Sequence, residues 1–82
     1  AFMGTQYKLV VGGDDFFADM VFYHTRLQCY VVIELKANKF QPAYVGQLEF
    51  YLTAIDRDIK RDTDKPTIGL LLCQEANRVV VE

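Results

Sequence analysis

A single helical stripe lies between two strand-like runs, and that order limits the folds open to the chain. Residues 29–35 are almost wholly β-branched or aromatic, and residues 67–73 are a continuous apolar run. Between them Val45, Leu48, Leu52, Ile55 and Ile59 recur at three- and four-residue intervals, the period of one helix face. Pro42 suits the first helical turn, where its missing amide hydrogen is not needed. These signals predict a helix over 42–60. Strand, helix and strand in that order make a right-handed crossover between parallel strands. Upstream, 6–11 and 16–23 also read as strands, with Gly12 and Gly13 supplying the backbone freedom of a tight hairpin. The predicted class is α/β (α+β): an antiparallel β-meander, a helix crossover, and a parallel strand at 67–73 covered on both faces of a mixed central sheet. Residues 74–78 read as a turn and 79–82 as a last strand.

Eighty-two residues allow one domain, expected over 1–82 as a fragment of a longer protein that lacks its amino-terminal region. The 51% hydrophobic and 13% aromatic content is too rich for disorder, and no apolar run approaches the length of a membrane span. The first four residues lack the basic start of a secretory signal. Cys29 and Cys73 each sit in an apolar run, where a thiol behaves as a small buried hydrophobe, so the expected setting is a reducing cytoplasm. A net charge of -2 argues against a strong standalone DNA binder, because non-specific affinity comes from Lys and Arg. It leaves open a nuclease core, which needs positive charge only locally. Zinc spacing, a phosphate-cradling glycine loop and a serine triad are all absent from the sequence.

Two acids stand where acids are costly. Asp19 interrupts the apolar run 16–23, and Glu34 closes the run 29–35. Carboxylates within apolar strands need pairing, hydrogen bonds or a metal ion. If Tyr23 pairs with Tyr30 and His24 with Cys29 across the loop, the register sets Asp19 directly opposite Glu34. Lys36 then shares Glu34's face about 7 Å further along the strand. A hard cation such as Mg2+ takes oxygen ligands of this kind and couples them to phosphate chemistry. Glu-x-Lys alone is a common tripeptide, and an ion pair at a sheet edge with no metal is the competing structural account of these residues. His24 reads as a hairpin-turn residue, Tyr44, Phe50 and Tyr51 as packing residues, and the charges from Asp56 to Lys65 as a solvated helix end and loop.

The string Gly13-Asp14-Asp15-Phe16-Phe17-Ala18-Asp19-Met20-Val21-Phe22-Tyr23-His24, then Val32-Ile33-Glu34-Leu35-Lys36, Phe40-Gln41-Pro42-Ala43-Tyr44-Val45-Gly46-Gln47, Phe50-Tyr51-Leu52 and Pro66-Thr67-Ile68-Gly69-Leu70-Leu71-Leu72-Cys73 closely resembles the YhcG-like bacterial proteins. These are grouped with the PD-(D/E)xK, or restriction-endonuclease-like, nucleases, and the resemblance covers nearly the whole chain. It implies an αβββαβ core with Asp19 and Glu34 as metal ligands, Lys36 as the catalytic lysine and Gln47 as an accessory site residue. The backbone carbonyl of Leu35 is the expected third metal contact, and Gln47 shares a helix side with Tyr44 and Tyr51 at three- and four-residue spacing, so a small polar and aromatic patch can face the site. Ala18 stands where the superfamily name has proline, and the family's upstream helix, a source of a further acid, lies outside this sequence. The implied function is Mg2+-dependent hydrolysis of DNA, with Mn2+ as a substitute, in bacterial restriction, repair or recombination. DNA or another nucleic acid is the expected partner, no membrane is involved, and an exposed edge strand leaves room for a homodimer. The alternative is a catalytically inactive member that uses the same fold for DNA binding or protein assembly.

Overall fold

The computed structural model describes residues 1–74 and the backbone of 79–81. Five strands and one helix follow the order β1 (Phe2–Val11), β2 (Asp14–His24), β3 (Cys29–Lys36), α1 (Pro42–Asp58), β4 (Ile68–Cys73) and β5 (Val79–Val81). They form one mixed sheet in the order β1-β2-β3-β4-β5: the first three strands are an antiparallel meander, β4 runs parallel to β3, and β5 returns antiparallel. The predicted α+β architecture is therefore the observed one. β1 starts at Phe2, four residues earlier than expected, because Phe2 opposes Phe22 and their rings meet in a tilted contact with centroids 5.1 Å apart. The helix ends at Asp58 rather than residue 60, with Ile59 as its C-cap. Of the predicted turn over 74–78, residues 75–78 lie outside the described residues, as does Glu82.

The helix lays Leu48, Tyr51, Leu52, Ala54 and Ile55 against the sheet, where Leu9, Ala18, Val21, Val32 and Leu71 complete the core. Gly69 permits the close approach. A Cβ built there falls 2.8 Å from Leu48 Cδ2 and 2.9 Å from its Cγ, and Leu48 is fully buried. We expect Gly69→Ala to cost about 1–3 kcal/mol by overpacking, measured by denaturant unfolding. It also pushes the turn carrying Gln47 away from β3. The β4 run is covered on both faces only in part: Gly69 and Leu71 are buried toward the helix, whereas Ile68, Leu70 and Leu72 are half-exposed on the other side. Among the described residues the apolar run thus forms the predicted strand, with the helix on one of its faces.

The charged segment after the helix is more structured than a solvated loop. Asp64 is only 5% exposed, and it accepts hydrogen bonds from the Tyr23 hydroxyl at 2.6 Å, the Arg61 backbone amide at 3.0 Å and the Arg61 guanidinium. Asp56 likewise accepts from the Thr67 amide and hydroxyl, joining the helix end to β4. The loop is locked to the β2–β3 hairpin, since the Lys65 amide also donates to the Gln28 carbonyl. The Tyr23 hydroxyl, then the Arg61 amide, hold the Asp64 carboxyl at about 2, below its usual 3.8. A carboxyl depressed by folding adds stability above its unfolded value and loses it as pH falls toward its folded one. Asp64→Asn is therefore expected to lower the melting temperature at pH 7. The gap to the native protein should close between about pH 4 and pH 2, as followed by circular dichroism melts.

Candidate active site

The β2–β3 ladder runs from His24↔Cys29 to Met20↔Ile33, in the register expected from the hairpin, and stops one pair short of Asp19 and Glu34. Side chains take over at that point. The Asp19 backbone amide donates to Glu34 Oε2 at 2.7 Å, and the Leu35 backbone amide donates to Asp19 Oδ2 at 2.8 Å. Each carboxylate thus occupies a place in the ladder that a backbone carbonyl would ordinarily fill. The two acids end up side by side where the strands part. Glu34 is 3% exposed and Asp19 half-buried.

Among the described residues neither acid has an ion-pair partner; the ion pairs are Lys8–Asp15, Arg57–Asp58 and Arg61–Asp64. Burial pushes the Glu34 carboxyl above its ordinary range, and the negative charge of Asp19 adds to the rise. The Asp19 amide and the charge of Lys36 act the other way. The edge ion pair weighed above is therefore not what holds these acids.

Lys36 is held by the helix instead. Its Nζ donates to Gln47 Oε1 at 2.9 Å and lies 4.9 Å from the centre of the Tyr44 ring. Gln47 in turn donates from Nε2 to the Tyr51 hydroxyl at 3.2 Å, and the Tyr44 hydroxyl donates to Asn38 Oδ1 at 2.7 Å. Tyr44, Gln47 and Tyr51 meet because residues three and four apart share a helix face. Asp19, Glu34, Leu35, Lys36 and Gln47 therefore gather at one end of the β2–β3 pair.

Gln6 is the residue that the sequence reading of this site lacks, and Tyr51, expected on the site-facing helix side mainly for packing, does more than pack. Tyr51 is buried as a packing residue should be, yet burial and the charge of Glu34 raise its hydroxyl, and Gln47 bonds to it. The four-residue spacing from Gln47 is the signal that puts it on this side of the helix. Gln6 on β1 donates from Nε2 to Asp19 Oδ1 at 3.2 Å, and nothing in its sequence context marks it. His24 takes the turn role assigned to it, accepting from the Leu27 amide through Nδ1 at 3.0 Å.

A three-stranded meander that crosses through a helix into a parallel strand, with an acid and Glu-x-Lys at its parted end, is consistent with a PDDEXK nuclease-like fold. A family model described as the YhcG PDDEXK nuclease domain matches residues 1–82, and the chain belongs to that family. It is similar to "Putative nuclease YhcG" of Escherichia coli (strain K12), with 36% identity over 75 residues. That match takes in 92% of this chain and 20% of the relative, so the chain spans about a fifth of that protein's length. No solved structure matches the chain significantly.

Proposed function

We propose that this domain is the catalytic core of a Mg2+-dependent DNA endonuclease, with Asp19, Glu34 and the Leu35 carbonyl as metal contacts and Lys36 and Gln47 as catalytic-site residues. The observation that carries the reading is the pair of adjacent carboxylates that no ion pair neutralises among the described residues. Two carboxylates and a carbonyl are a hard-oxygen donor set, and Mg2+ characteristically binds through one or two carboxylates with water and substrate phosphate completing its shell. Among the described residues no third acid, His or Cys joins them. That number suits Mg2+ better than a metal caged wholly by protein.

A bound divalent cation would polarise the scissile phosphate and lower the pKa of the attacking water. The protein's own part begins with Asp19 and Glu34, whose carboxylates are held in place by backbone amides before any ligand arrives. Lys36 brings a positive charge to the face on which negative charge develops during phosphodiester cleavage. Gln47 fixes that ammonium group through its carbonyl oxygen, while Tyr44 supports it through its ring. Tyr51 closes the chain by accepting from Gln47, so the lysine's position is traced back to a buried residue of the core.

The same reading places the protein in bacterial DNA restriction, repair or recombination, with a cytoplasmic setting that suits its two free thiols. No helix among the described residues is long and apolar enough to cross a membrane. The test is cleavage of duplex DNA by the full-length protein. Cleavage with Mg2+ or Mn2+ that stops on chelation is expected. Binding of DNA without cleavage in either metal would favour the inactive binding module instead.

A further inference from the structure

We propose that Gln6 is a positioning residue for Asp19, using its side-chain amide to set how that carboxylate is presented to a divalent cation; this rests on the reading of Asp19 as a metal ligand. Gln6 sits on β1 with φ of 45°, a left-handed conformation that non-glycine residues adopt rarely and strand residues almost never. The irregularity is local. β1 pairs with β2 through Tyr7↔Ala18 on one side of it and Thr5↔Met20 on the other, and the positions between them are Gln6 and Asp19.

The alternation of the sheet breaks at the same place. Leu9 and Ala18 are in the core, with Tyr7, Val11 and Phe16 packed against it, but the next core residue of β2 is Val21, three positions after Ala18. Regular alternation from Tyr7 and Ala18 would turn both Gln6 and Asp19 to the far face of the sheet. The break brings Asp19 into the gap beside Glu34 and Gln6 Nε2 to within 3.2 Å of Asp19 Oδ1. Asp19 is then held at both oxygens, by the Leu35 amide at Oδ2 and by Gln6 at Oδ1. A carboxylate gripped twice has one orientation to offer. Outer partners of metal ligands act in this way, and their loss typically costs about 10–100-fold in metal affinity or activity.

Glycine at position 6 separates the amide from the backbone, because it adopts positive φ readily while removing the hydrogen bond. Mn2+ titrated into the full-length Gln6→Gly protein by calorimetry is expected to bind about 10-fold or more weakly than to the native protein. The Mn2+ concentration for half-maximal cleavage should shift by the same factor, with no fall in melting temperature. Gln6→Asn, which also tolerates positive φ but is one methylene shorter, should weaken binding likewise and guards against a folding defect in the glycine variant. Asp19→Asn serves as the reference. If it loses Mn2+ binding while both Gln6 variants bind like the native protein, the positioning role is wrong and the metal site stands. If Asp19→Asn itself binds Mn2+ normally, the metal-site reading falls, and this proposal with it.

Discussion

Lys36→Met in the full-length protein is expected to reduce metal-dependent DNA cleavage by about 10²–10³-fold, the usual cost of removing one preorganised group that stabilises transition-state charge. Methionine keeps most of the unbranched length of the side chain and removes the ammonium group that lies over the Tyr44 ring. The stability change should therefore stay within about 0.5 kcal/mol. Gln47 loses its partner at Oε1, but it is exposed and water can replace the bond. The loss should appear in kcat at saturating metal, with Mn2+ affinity little changed, because the ammonium group is bonded to Gln47 and not to either acid. An unchanged kcat would remove Lys36 from the chemistry and return it to a purely structural contact between β3 and α1.

Glu34→Gln is expected to abolish cleavage and stabilise the metal-free protein together. Glutamine can still accept the Asp19 amide that Glu34 accepts at 2.7 Å, so the hydrogen bond is kept while the charge goes. That charge is unfavourable in the fold, since burial raises the Glu34 carboxyl and Asp19 repels it. The sign follows from linkage. A carboxyl raised by folding carries a penalty that is absent at low pH, grows as pH climbs past its ordinary 4.5, and is complete above its folded value. In chelator, Glu34→Gln should therefore melt higher than the native protein at neutral pH, and the two should converge below about pH 4.5.

Adding Mn2+ should narrow or reverse the difference, because a ligand that binds only the folded state stabilises by mass action. Cleavage should fall by at least about 100-fold, the upper end of what loss of an outer partner costs. Calorimetric melts with chelator and with Mn2+ check both halves of the prediction. A variant less stable than the native protein in chelator would mean that Glu34 is a structural acid.

Much of this arrangement was legible in the residues because it depends on short-range rules. The stripe from Val45 to Ile59 and the β-branched run before Glu34 specify their elements locally, and the hairpin register from His24↔Cys29 to Met20↔Ile33, which leads toward Asp19 and Glu34, depends only on where the loop Thr25-Arg26-Leu27-Gln28 closes. Lys36 follows from alternation along a single strand. Gln6 escaped notice because its contact with Asp19 needs a left-handed residue inside a strand, and neither periodicity nor propensity marks such a break. Asp64 was read as solvated because it lies in a run of charges. Its burial goes with a hydrogen bond from Tyr23 on β2, a contact between residues distant in sequence. Tyr51 was read by its bulk as packing, and its hydroxyl gained a second role through Gln47, one helical turn earlier.

The central claim is that Asp19 and Glu34 form one divalent-cation site with Lys36 beside it. Crystals of the full-length protein soaked in Mn2+ and measured for anomalous scattering test it most directly. A manganese peak in contact with both carboxylates, lost in Asp19→Asn, is the expected result. A protein that cleaves DNA with Mn2+ yet shows its peak elsewhere, with these two acids untouched, would contradict the account.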